Sequence, residues 1–121
     1  MVIYTIKLPE KISLNRIYAG VHHRVRTAVK EDYHYAVMDA KPKKYQGSYP
    51  VEMHYHFKVG GKPLDITNHA FMVKMVEDGL VERGAIAGDE PHFVSKVSIT
   101  SEKAKKGQED IVVVTINQPK L

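Results

Sequence analysis

The chain has 121 residues, with 18 Lys and Arg against 14 Asp and Glu, a net charge of +4 and no cysteine. That length suits one domain, 1–121, with a real but modest core, and 43% hydrophobic with 26% charged residues excludes a disordered composition. Absence of cysteine excludes disulfides and thiolate chemistry, no apolar run approaches the length needed to span a bilayer, and a pI near 9.2 favours a polyanionic partner.

The first residues, MVIYTIKLPEK, read as a strand and lack the charged start, apolar stretch and cleavage site of a signal peptide. A cytoplasmic location is therefore expected. Ile3 to Leu8 is rich in β-formers and is closed by Pro9. Ser13-Leu14-Asn15 opens a polar turn. Residues Val21 to Asp39 are predicted helical, with Val21, Val25, Ala28, Val29 and Ala36 as the apolar stripe. Pro42 and its flanking lysines end that helix, and Gly47 and Pro50 bound the next loop.

Val51, Met53, Tyr55 and Phe57 alternate strictly with Glu52, His54, His56 and Lys58, the clearest strand pattern in the chain. A Gly60-Gly61-Lys62-Pro63 turn leads to a second helix over Thr67–Glu82, buried along Phe71, Met72, Met75, Val76 and Leu80 and stopped at Gly84. Phe93–Thr100 and Ile111–Ile116 read as strands, separated by the polar stretch Ser101–Asp110. The order β-α-β-α-β-β predicts an α/β or α+β fold, a small mixed sheet with two main helices. Pairing order is not encoded locally: the helix between Val51–Val59 and Phe93–Thr100 permits a right-handed parallel crossover, and the polar link between the last two strands suits an antiparallel hairpin with a long loop.

Chemistry concentrates around the second helix. Asp65 precedes it, Asp89 and Glu90 follow it, and Lys74 and Asp78 lie on it. Carboxylates brought together by folding supply the hard oxygen donors that Mg²⁺ or Mn²⁺ needs in phosphodiester hydrolysis. Lys74 would hold a phosphate oxygen as a point charge. The same residues also allow a bland reading, with Asp65 or Thr67 as a helix cap and Lys74–Asp78 as a surface pair worth a few tenths of a kcal/mol.

Arg26, Lys30 and His34 recur at steps of four along the first helix. With Arg24 before them and Lys43 and Lys44 after, they form a basic face suited to DNA phosphates. Tyr33, Tyr35 and Tyr45 would stack on exposed bases or, more commonly, fill a core. His54 and His56 form an H-x-H pair that can bind zinc, without a third ligand near in sequence. Neither a P-loop nor a G-x-S-x-G elbow is present, so ATP use is not expected.

Leu8-Pro9 followed by Ser13-Leu14-Asn15-Arg16-Ile17-Tyr18, and then Asp65, Asn68, Lys74, Asp78-Gly79-Leu80 and Asp89, resemble the motifs of the RusA-like Holliday junction resolvases of phages and prophages. The resemblance runs through most of the chain and implies a RusA-like domain. It implies a homodimeric endodeoxyribonuclease that nicks branched DNA in recombination and repair, inside a bacterial host. Asp65, Lys74 and Asp89 are then catalytic. Asp65, Asp89, Glu90 and Asp78 are the candidate ligands of Mg²⁺ or Mn²⁺, and Asn15, Thr67 and Asn68 are supporting residues. Three features depart from the family pattern: Thr67 and Gly88 stand where acidic residues are expected, and Asn68 and Lys74 are six apart where the pattern has three. The alternative is a catalytically impaired DNA-binding relative with the same fold.

Overall fold

The computed structural model describes residues 1–9, 11 and 23–118, with the side chains of residues 23–25 excepted. Among these are four strands, β1 (Val2–Lys7), β2 (Val51–Val59), β3 (Val94–Lys103) and β4 (Ile111–Asn117), and two main helices, α1 (His23–Ala40) and α2 (Ala70–Arg83). The turn at Ser13-Leu14-Asn15 and the helix start at Val21 lie outside the described residues.

The strands form one mixed sheet in the order β1-β4-β2-β3. β2 and β3 run parallel, in keeping with the helical crossover between them. The hairpin expected between the last two strands is not formed. β4 instead inserts between β1 and β2, antiparallel to both. Its run of β-branched residues suits a central position with neighbours on each side. The link from β3 rounds the end of β2, where Ala104 N–H donates to the Val59 carbonyl at 3.0 Å and Gly60 N–H to Asp110 Oδ1 at 2.9 Å.

Alternation on β2 decides the faces. Val51, Met53, Tyr55, Phe57 and Val59 are buried together with Tyr4, Ile6, Val112, Val114 and Ile116 in one cluster that includes residues of both helices. The alternate positions on β2, Glu52, His54, His56 and Lys58, remain half exposed.

On α1 the buried stripe is Val29, Tyr33 and Val37, at steps of four. Ala28, expected on that stripe, is exposed, and Val25 lies outside the described side chains. Tyr33 and Val37 bury far more apolar area than an alanine and so set the helix's rotation. Gly79 on α2 lets the helices approach: a Cβ there would lie 2.8 Å from Val37 Cγ2.

The second helix begins differently from its periodicity. Residues Ile66–His69 form a 3₁₀ turn before α2 starts at Ala70. Asn68 N–H donates to the Asp65 carbonyl at 2.9 Å, and the fully buried His69 ring donates from Nδ1 to the Asp65 and Ile66 carbonyls at 3.0 and 3.1 Å. These bonds take up carbonyls that an α-helical first turn would use. Gly84 closes α2 in the left-handed conformation, φ 80°, its N–H directed at the Leu80 and Val81 carbonyls.

Candidate functional site: a lysine between two carboxylates

α2 is buried on nearly every side, with Phe71, Met72, Val73, Met75, Val76, Glu77, Gly79 and Leu80 all inside. Exposed Lys74 and half-exposed Asp78 lie one turn apart on its outer side, and their side chains meet at 3.0 Å. The chain after Gly84 then folds back along the helix. Tyr45 N–H donates to the Ala85 carbonyl at 2.7 Å, and Ala87 N–H donates to the Tyr49 hydroxyl at 2.9 Å. Phe93 packs edge-on to Tyr49, which packs edge-on to Tyr45. Held this way, the loop carries Asp89 to Lys74, with Oδ2 3.1 Å from Nζ.

The Lys74 ammonium thus sits between Asp78 and Asp89. Its hydrogen bonds to them, first to Asp78 and then to Asp89, raise its pKa. Beneath lies Glu77, only 8% exposed, whose carboxyl accepts a hydrogen bond from the Tyr55 hydroxyl. Burial, reinforced by the negative charge of Asp89, raises the Glu77 pKa from 4.5 to about 7. Burial and the neighbouring Glu77 raise Tyr55 well above its ordinary range.

The remaining predicted site residues are placed as follows. Asp65 is exposed and stands at the N-cap position of the 3₁₀ turn, but its side chain makes no cap hydrogen bond. The carboxylates that Lys74 contacts are those of Asp78 and Asp89, not Asp65. Glu90 turns to His92 at 3.4 Å. Thr67 is exposed and Asn68 half-buried. Gly88 seats an aromatic ring: a Cβ there would lie 2.6 Å from Phe93 Cδ2. Asn15 lies outside the described residues, as does the Arg24 side chain.

On the basic face, Lys30, Lys43 and Lys44 are exposed. Arg26 is half-buried, with Nε enclosed and unpaired. His34 turns to Glu82, 2.5 Å away. Tyr33 and Tyr45 belong to the core, and Tyr35 is 63% exposed.

Glu77 is the site residue that sequence reasoning missed. Its signal was an acidic residue interrupting the apolar stripe of α2, opposite a strand whose inward row includes the polar-tipped Tyr55.

Among the described residues, no group of three or more His, Asp or Glu side chains forms a metal-holding set. Mg²⁺ commonly takes one or two carboxylates and fills its other positions with water and phosphate. Asp78 and Asp89, converging on one cationic atom, fit that donor chemistry. Among the described residues no helix is long and apolar enough to cross a membrane. No protein-family model matches the chain, and no curated protein matches it.

Proposed function

We propose that the chain is a divalent-metal-dependent endodeoxyribonuclease that acts on branched DNA as a RusA-like homodimer. The observation that carries this reading is the convergence of Asp78 and Asp89 on Lys74 above the buried Glu77. Asp78 and Asp89 would hold Mg²⁺ or Mn²⁺. The ion's contribution when bound is to stabilise charge on the scissile phosphate and to lower the pKa of attacking water.

The protein's own groups have separate tasks. Lys74, freed from its carboxylates, directs N–H donors at a phosphate oxygen as a point charge. Glu77 lies buried beside them, its pKa raised to about 7 by burial and by the charge of Asp89. Lys30, Lys43 and Lys44 meet backbone phosphates of the DNA arms, which makes binding salt-sensitive.

Incubation of the protein with a labelled four-way junction and Mg²⁺ or Mn²⁺ tests this reading. Paired nicks in opposed strands are expected. Absence of cleavage across both metals and a range of pH would overturn it. One observation favours the catalytically impaired DNA-binding alternative: Lys74 already pairs with both carboxylates, while Thr67 and Gly88 carry no acidic group. That reading expects salt-sensitive junction retardation without cleavage.

A further inference from the structure

The outer face of the sheet carries a polar row that the nuclease reading does not use. His54 and His56 project from β2 two residues apart, their rings 6.5 Å between centroids and within 16° of parallel. β2 is hydrogen-bonded to a strand on each side, so the two positions are held stiffly. One nitrogen of each ring converges on the same atom: His54 Nε2 lies 2.8 Å and His56 Nδ1 2.5 Å from Thr100 Oγ1. The other nitrogens already face polar partners. His54 Nδ1 is 2.6 Å from Ser98 Oγ, and His56 Nε2 is 3.6 Å from Glu102 Oε1.

With Glu102 ionised and both rings neutral, one proton arrangement satisfies the whole row. His56 Nε2–H points to Glu102, so its Nδ1 accepts from the Thr100 hydroxyl. Thr100 Oγ1 then accepts from His54 Nε2–H, and His54 Nδ1 accepts from the Ser98 hydroxyl. His56 therefore already offers a lone pair at the point of convergence. His54 offers one once its proton moves to Nδ1, where Ser98 Oγ accepts it. Lys58, the nearby cation on the same strand face, is neutralised by Glu102 at 3.3 Å.

We propose that His54 Nε2 and His56 Nδ1 form a two-nitrogen site for a zinc-class divalent ion on the outer sheet face, entered when the Thr100 hydroxyl that lies between them rotates aside. Imidazole nitrogen suits Zn²⁺, Cu²⁺ or Ni²⁺, whereas the all-oxygen cluster on α2 suits Mg²⁺ or Mn²⁺. Ligating histidines characteristically donate their second N–H to a carboxylate or another oxygen, the places that Glu102 and Ser98 hold here. Thr100 and Glu102 are exposed, so the remaining coordination positions open to solvent. The site shares no residue with the α2 cluster, so either reading can fail without the other.

Titration of zinc chloride into the chelator-treated full chain, followed by calorimetry and by the imidazole resonances, tests the site. One ion per chain is expected, with shifts confined to the His54 and His56 rings. His54→Gln or His56→Gln should each weaken binding at least tenfold, and Glu102→Gln by about tenfold. No saturable uptake, or uptake unchanged in the double histidine variant, would overturn the proposal. Should a variant lose its fold by circular dichroism, the unaltered chain decides: zinc-induced shifts at other histidines but not at these two refute the site.

Discussion

Lys74 and Asp89, fifteen residues apart in sequence, meet at 3.1 Å because the chain after Gly84 folds back along α2. The contact joins an exposed helical lysine to a loop carboxylate directly above a buried glutamate. It brings the acidic residues on either side of Gly84 into one site.

Removing either partner separates stability from activity. Both side chains are substantially exposed, so the pair contributes no more than about 1 kcal/mol to folding. Lys74→Ala and Asp89→Asn should therefore leave urea midpoints close to the parent. Under the proposed nuclease function each should lower junction cleavage at least about 100-fold, in line with the loss of a charge-stabilising group. Asp89→Asn should retain junction binding by gel retardation. Full cleavage by either variant would remove that residue from the site.

Glu77 makes stability depend on pH in a defined direction. Its folded pKa of about 7 lies above its ordinary 4.5, so the folded state binds more protons between those values. Stability therefore falls as pH rises through this window, by up to about 3 kcal/mol from this one group. Glu77→Gln should flatten the dependence and stabilise the protein above pH 7. Asp89→Asn should end the fall at lower pH and make it smaller, because one charge that raises the Glu77 pKa is gone. Denaturant unfolding followed across pH measures both.

His69 holds the entry to α2. It is fully buried, packs on Phe57 at 4.9 Å, and its Nδ1–H binds the Asp65 and Ile66 carbonyls. His69→Ala removes that ring and leaves the turn without its donor, at an expected cost of about 2–4 kcal/mol. Amide exchange at residues 65–68 should accelerate more than exchange in β4. Equal acceleration throughout would assign His69 to packing alone.

Gly88 cannot simply be made acidic. Gly88→Asp would add a carboxylate beside Asp89, but its Cβ meets the Phe93 ring at 2.6 Å. A destabilisation of about 1–3 kcal/mol is expected, typical of an overpacked site. Adding Phe93→Ala should relieve the clash, giving a double variant less destabilised than the sum of the two single changes. Strict additivity would show that the loop adapts by another route.

The elements were legible because their causes are local. Strict alternation in Val51–Phe57 announced β2 and both of its faces, and the spacing of Phe71, Met75, Val76 and Leu80 announced α2. Gly84 stops α2 as its position indicated. The hairpin expectation failed because a polar link permits several routes, and pairing was settled by where the β-branched β4 could be covered on both sides. Ala28 was misassigned because small residues constrain helix rotation weakly beside Tyr33 and Val37.

The site divides in the same way. Asp65, Lys74, Asp78 and Asp89 stood out as residue types at suggestive spacings. Sequence determined which residues were available and the secondary structure that carries them, since both follow from neighbours a few positions away. Tertiary structure alone decided that Lys74 clasps Asp89 while Glu90 turns to His92. It also raised Glu77 to a pKa of about 7 and aimed two histidines at one threonine oxygen. Those outcomes depend on burial and on distances between segments remote in sequence, quantities that exist only once the chain has packed.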